Sequence, residues 1–165
     1  EIEMTVGPGG FVTAEHLHPD LEVRFQFLAG TIALSIEDKS EIVGTGEKRT
    51  VPKNTRHVWK NAGEEELKVI LQFRPAGKME YFLESWFALA EAGKTDRQGM
   101  PNLFQAAVIF SAFRGDVKPQ GLLINILVKL LAPLGRLMGY QAYVSFSQAA
   151  PVRLETPSQI LDKSI

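Results

Sequence analysis

Short hydrophobic runs alternate with polar residues between Phe11 and Arg74, and Gly, Pro, Asn and Asp residues separate them. An alternation with a period of two places successive side chains on opposite faces of a β-strand. The pattern predicts strands over 11–18, 21–28, 31–36, 41–43, 48–51, 56–60 and 66–74. Seven or eight short strands with frequent turn signals are typical of a small antiparallel sandwich or barrel.

The hydrophobic period changes after Pro75 and becomes helical. Helices are predicted over 78–92, 103–113 and 120–138, with Pro133 kinking or breaking the third, and a short extended piece is predicted over 140–144. We therefore expect a mainly β fold followed by two or three C-terminal α-helices. The expected division is a β unit over 1–75, a helical extension over 76–145 packed on it or on a partner subunit, and a tail over 146–165.

The composition of the chain argues against several classes of function. The chain has 165 residues, a net charge of −1 and no cysteine. A near-neutral charge gives no electrostatic reason to expect nucleic-acid binding. Without cysteine there is no disulfide, no cysteine zinc site and no thiol nucleophile, which is compatible with a cytoplasmic location.

The most apolar stretch runs over 121–139. Polar residues and a proline interrupt it at Asn125, Lys129, Pro133 and Arg136, so it makes a poor membrane span. It also lacks the strongly basic polar face of an interfacial helix. This composition favours packing of the helix on the sheet or against a second subunit.

All three histidines of the chain lie between Gly10 and Asn61. In a strand His16 and His18 point the same way, with Cα atoms about 7 Å apart, and His57 follows about forty residues later. Two imidazoles at that separation can chelate one ion, and a third from another strand closes one face of a coordination sphere. Such a set suits a divalent transition metal such as Zn, Fe, Mn or Ni, with open positions for water or substrate.

Two spaced motifs surround these histidines. The first comprises Gly10, His16, His18, Glu22 and Gly30, and the second comprises Gly46, Pro52, Asn54, His57 and Asn61. Together they resemble the paired motifs of the cupin superfamily. The second departs at Asn54, where the family has Gly, and Asn is the next best residue at positive φ. The resemblance implies a jelly-roll β-barrel, a bound metal ion and frequent homodimer formation.

The resemblance leaves two ligand sets open. Counting forward from His18 makes Glu22 a fourth ligand. Counting back from Gly30 places Val23 at that position, and Glu22 then points away from the histidines, leaving a three-histidine centre.

Several further residues are candidates for the walls of a substrate pocket. Phe25 and Phe27 share a face of their strand and are expected to line an apolar cavity. Trp59 lies on the face of His57 and either walls the pocket or packs in the core, whereas Gln26 enters only if its face turns inward. Asn61 is expected to form a turn rather than bind metal.

Two functional hypotheses follow from the resemblance. The first is a metal-dependent enzyme acting on a small apolar or aromatic molecule, of the dioxygenase, isomerase or cyclase type. The second is a non-catalytic small-ligand-binding or regulatory cupin with a structural or vestigial metal site. The sequence shows no separate acid–base pair, so no catalytic residue is assigned.

Overall fold

The structure, a computed structural model, describes residues 1–10 and 14–146. Its strands are β1 (Ile2–Val6), β2 (His16–Leu17), β3 (Glu22–Ala29), β4 (Thr31–Ile36), β5 (Lys39–Gly44), β6 (Lys48–Val51), β7 (His57–Asn61), β8 (Leu67–Arg74) and β9 (Lys118–Pro119). Its helices are α1 (Met79–Glu91), α2 (Leu103–Ala112) and α3 (Leu122–Leu137). The described chain is therefore mainly β, with three helices that follow β8.

The strands form two antiparallel sheets. One has the order β1-β8-β3-β6 and the other has the order β5-β4-β7-β2-β9. Inward-facing side chains of both sheets, including Phe25 and Phe27 from the first and Leu34 and Trp59 from the second, meet in one buried core. The expected single closed barrel is thus seen as two sheets packed face to face, because no hydrogen-bonded ladder joins their edges among the described strands.

Alternation along β3 shows how the sequence selects this packing. Val23, Phe25 and Phe27 are buried, whereas Arg24 and Leu28, on the other face of the strand, are exposed. Burying a side chain of this size contributes about 1.5–3 kcal/mol, which fixes the register because a shift by one residue would expose all three.

Several elements differ from the predicted ones. The sequence analysis missed β1 and β9, and the described part of the first predicted strand is only the two-residue β2. The predicted extended piece over 140–144 contains no strand. Residues 11–13 and most of the predicted tail, from 147 onward, lie outside the described residues.

The helices pack on one another as well as beside the sheets. α3 packs against α2, where Gly135 meets Val108 and the backbone of Phe104 so closely that a Cβ atom would not fit. α3 continues through Pro133, so of the predicted kink or break the break is not seen, and buried Ala132 and Gly135 pack on α2 on either side of that residue. No helix among the described residues is long and apolar enough to cross a membrane.

Candidate metal centre

The three histidines converge at one end of the second sheet. His16 of β2 pairs directly with His57 of β7, and His18 follows β2 on the same face as His16. Their ring centroids are 4.4 Å apart for His16 and His57, 5.1 Å for His16 and His18, and 5.2 Å for His18 and His57. One ring nitrogen from each lies within 4.8 Å of those from the other two.

Backbone carbonyls orient all three imidazoles. The Nδ1 atom of His16 donates to the Ala14 oxygen at 3.0 Å, that of His18 to Asp116 at 2.6 Å, and that of His57 to Thr55 at 3.2 Å. Because a carbonyl oxygen can only accept, each Nδ1 carries the hydrogen and each Nε2 keeps its lone pair. Metal-binding histidines usually make this same bond to a carbonyl or carboxylate, which fixes the tautomer.

Burial keeps these side chains uncharged at neutral pH. Desolvation, followed by the charge of neighbouring His16, lowers the pKa of His18 to about 4. Desolvation, followed by the charges of His16 and His18, lowers the pKa of His57 to about 3. The pKa of His16 is also lowered, mainly by burial. Neutral imidazoles are the form that binds a metal ion, so the electrostatics fit the hydrogen-bond pattern.

A turn at Asn54 brings the two histidine segments together. Asn54 has a φ of 59°, in the left-handed region that favours Gly and, next to it, Asn. Its backbone N–H donates to the oxygen of His18 at 2.6 Å. The replacement of Gly by Asn in the second motif therefore preserves the turn, as the sequence predicted.

A cavity of about 440 Å³ opens at the histidines. The sheets contribute Phe25, Trp59 and Phe73 to its wall, and the helical part contributes Met79, Phe82, Leu83, Trp86 and Ile124. No Asp, Glu, Lys or Arg lines the cavity in the described part of the chain. The three imidazoles are therefore its main polar feature.

The two polar candidates on β3 lie away from the histidines. Glu22 pairs with Arg24 at 2.6 Å on the solvent side of the sheet, while Val23 takes the inward position and lines the cavity. Gln26 shares the outer face with Glu22 and lines a separate surface cleft with Arg24 and Arg49. The structure thus brings together the three histidines without Glu22 and without Gln26.

The remaining candidates have distinct positions. Phe25 and Trp59 both line the cavity, with ring centroids 6.4 Å apart, whereas Phe27 stacks behind Phe25 in the core and does not reach the cavity. The buried amide of Asn61 donates to the carbonyls of Val6, Gly7 and Glu65 and accepts from the N–H of Gly63. Asn61 therefore ties a turn to β1.

Sequence reasoning did not identify the contribution of the helical part to this site. Asp116, which follows α2, supplies the carbonyl that orients His18 across 98 positions of sequence. Phe82 and Trp86 lie four positions apart in the helix predicted over 78–92. Their helical spacing could indicate a buried face, but it carried no signal that the face would wall a cavity.

Solved structures of low similarity include the Cnp3 cupin domain of Schizosaccharomyces pombe, 15% identical over 43% of this chain and 51% of that chain, with a TM-score of 0.40. A cupin protein from Bacteroides fragilis is 14% identical over 43% and 60%, with a TM-score of 0.41. A predicted oxalate decarboxylase from Thermotoga maritima is 20% identical over 43% and 61%, with a TM-score of 0.41. The chain thus spans between half and two thirds of each of these structures.

None of the curated proteins matches this sequence. The family model described as a cupin domain matches residues 2–73, which span β1 to β8 except for the last residue. That segment includes all three clustered histidines and both motifs. Residues 2–73, somewhat less than half of the chain, therefore match the cupin domain family, which confirms the resemblance of the two motifs to the cupin superfamily.

Proposed function

We propose that this protein is a metal-dependent enzyme that acts on a small apolar or aromatic molecule, with the metal held by His16, His18 and His57. The observation that carries the proposal is the set of three Nδ1 bonds to backbone carbonyls, which leaves Nε2 as the free nitrogen of each ring in a cluster whose ring nitrogens approach within 4.8 Å. A purely structural histidine cluster has no need for three rings in the same tautomer.

The donor set fits a divalent transition metal. Three neutral imidazoles suit Zn, Fe, Mn or Ni, and they leave positions for water or substrate. When bound, such an ion supplies Lewis acidity and holds a substrate oxygen or nitrogen at an open position. Glu22 stays outside the proposed ligand set because its carboxylate is paired with Arg24 on the solvent side.

The chain's own residues determine which molecule can be held there. Phe25, Trp59 and Phe73 form an apolar wall beside the imidazoles, and Phe82 and Trp86 face it from the helical part. Such a wall favours burial of an apolar or aromatic group and excludes water from it. Because no charged side chain lies on the part of the wall that the structure describes, we propose an uncharged substrate body whose single polar group meets the metal.

The absence of a carboxylate or lysine from the described wall restricts the reaction type. Proton transfer would have to use water or the substrate itself, since the three imidazoles are committed to the metal. This favours dioxygenase, isomerase or cyclase chemistry, in which the metal and the orientation of the substrate contribute most. The helical part, over 76–145, is proposed as an extension that completes the cavity.

A non-catalytic ligand-binding or regulatory cupin is the second candidate, and the same lack of an acid–base pair favours it. The two candidates differ in what metal removal does. A structural ion contributes folding energy, whereas an ion with open positions leaves the fold nearly intact when it is removed.

The test combines turnover with stability. Metal-loaded protein and a His57→Ala variant are incubated with a panel of small aromatic and apolar compounds, and products are followed by mass spectrometry. Product formation by the wild type alone, with a midpoint of urea unfolding that barely changes on chelation, supports the enzyme. Binding without any product, together with a large loss of stability on chelation, supports the regulatory alternative.

A further inference from the structure

One face of α3 is apolar and uncovered in the described structure. The leucine face consists of Leu123, Ile126, Leu127, Leu130, Leu134 and Leu137. Leu123 is 77% exposed and Leu137 is 85% exposed, which are values expected for lysine rather than leucine. The opposite side of the same helix packs against α2 through Ala132 and Gly135.

The leucine face is wide. At about 100° per residue, its six side chains cover an arc of about 100°, and exposed Leu122 and Met138 extend it on its two edges to about 160°. A helix that is apolar on both sides is normally buried on both sides. This arc is broader than the two-position seam of a paired coiled coil, which makes a flat apolar medium a better match than one partner helix.

The segment that carries the leucine face has charges of one sign. From Val117 to Phe146 the chain contains Lys118, Lys129 and Arg136 and no acidic residue, although the whole protein carries a net charge of −1. Lys129 and Arg136 are exposed and lie at one edge of the apolar arc, where long basic side chains can reach lipid headgroups while their stems stay on the apolar surface. The charge therefore complements an anionic surface.

We propose that the leucine face docks this protein on the surface of an anionic lipid bilayer, although composition alone favoured packing on the sheet or on a second subunit. The side opposite the leucines packs on α2, so basic residues can lie only at the edge of the face. The helix would lie in the plane of the interface, with the leucines in the acyl boundary and Lys129 and Arg136 at the headgroups. Ile124 of α3 lines the cavity, so the same helix forms part of the cavity wall and the docking surface. Docking depends on neither the metal nor turnover.

Flotation of the full chain with lipid vesicles tests this assignment. The vesicles contain phosphatidylcholine alone or phosphatidylcholine with one third phosphatidylglycerol, at low and high salt. The wild type should float with the anionic vesicles, and a Leu123→Gln/Leu130→Gln/Leu137→Gln variant should bind them at least about tenfold more weakly. A Leu28→Gln/Ile42→Gln variant, altered at exposed positions on β3 and β5, should bind like the wild type.

Two variants that each replace a lysine by glutamate provide a second test with a matched control. Lys129→Glu should weaken binding to anionic vesicles severalfold, and Lys39→Glu on β5, with the same change in net charge, should not. His57→Ala should float like the wild type, which separates this proposal from the metal-dependent function. Failure of the wild type to bind either vesicle overturns the proposal. A second result would also overturn it. If the wild type binds neither vesicle, sediments as a dimer and becomes a monomer in the triple leucine variant, then a second copy of the chain covers the leucine face.

Discussion

His18 and Asp116 are joined by a 2.6 Å hydrogen bond from the imidazole Nδ1 to the backbone oxygen. The bond links the end of β2 to the segment between α2 and β9, so the helical part of the chain orients one of the three candidate metal ligands. The carboxylate of Asp116 in turn accepts from the backbone N–H of Lys78, just before α1. The orientation of His18 thus depends on the packing of the helices.

Asp116→Ala is expected to weaken metal binding by about tenfold, since outer hydrogen-bond partners of metal ligands typically contribute 10–100-fold. The change removes the anchor at Lys78 and lets the carbonyl that holds His18 shift. Metal affinity is measured by competition with a chelator. Asp116→Asn retains an acceptor oxygen and should stay close to the wild type; equal weakening in both variants would argue against this role of the anchor.

Glu22→Gln is expected to leave metal content unchanged, because the Glu22 side chain pairs with Arg24 outside the site. His18→Ala, in contrast, should remove most of the metal. The metal content of the two purified variants, measured side by side, tests this prediction. Loss of metal in Glu22→Gln would restore Glu22 as a fourth ligand and would require a different register for β3.

Metal-free protein is expected to lose stability as the pH falls below about 6.5. The folded-state pKa values of His18 and His57, about 4 and about 3, lie below their ordinary value of 6.5. Between pH 6.5 and these folded-state values the unfolded chain binds more protons than the folded chain. Each unit by which a pKa differs between the two states changes the free energy of unfolding by about 1.4 kcal/mol per group. The contribution of these two neutral histidines to stability is therefore fully present above pH 6.5, and it is lost as the pH falls towards their folded-state pKa values.

Urea unfolding of chelator-treated protein across this pH range measures the effect. A His18→Asn/His57→Asn variant should show a much flatter dependence, because Asn does not titrate. An equally steep slope in that variant would place the titrating groups elsewhere.

Leu83→Trp is expected to reduce the cavity and weaken the binding of an aromatic probe such as 2-naphthol by about tenfold, because the larger ring occupies space beside Phe82. Calorimetric titration of metal-loaded protein measures the affinity. Leu28→Trp adds the same ring at an exposed position on β3 and serves as the control. Unchanged affinity in Leu83→Trp would mean that the probe binds outside this cavity.

Asn61→Ala is expected to lower the free energy of unfolding by about 1–3 kcal/mol, because it removes a buried amide that donates to the backbone carbonyls of Val6, Gly7 and Glu65. Urea unfolding measures the loss. The folded fraction should still bind metal, since Asn61 holds a turn and not the ion. Loss of metal with normal stability would reverse that assignment.

Local patterns were enough to predict that the three histidines lie together. His16, His18 and His57 were placed together by strand alternation and motif spacing, and the positive φ of Asn54 follows from the residue type that replaces Gly. The two readings of Glu22 were separated only by the register of β3, which depends on the burial of Val23, Phe25 and Phe27 in a shared core.

Other features depend on contacts that no local pattern carries. β9 has two residues and exists because it pairs with β2 about one hundred residues earlier. The carbonyl of Asp116 has no sequence signature, since any residue provides one. The contact between α3 and α2 has no local signature either, because it depends on Ala132 and Gly135 being small where the two helices meet.

The most direct test of the account is the metal content of protein purified without an affinity tag or chelator, measured by inductively coupled plasma mass spectrometry beside a His16→Ala/His57→Ala variant. We expect close to one equivalent of a single transition metal in the wild type and nearly none in the variant. No metal in either protein, after incubation with Zn, Fe, Mn and Ni salts and with both proteins equally stable, would contradict it.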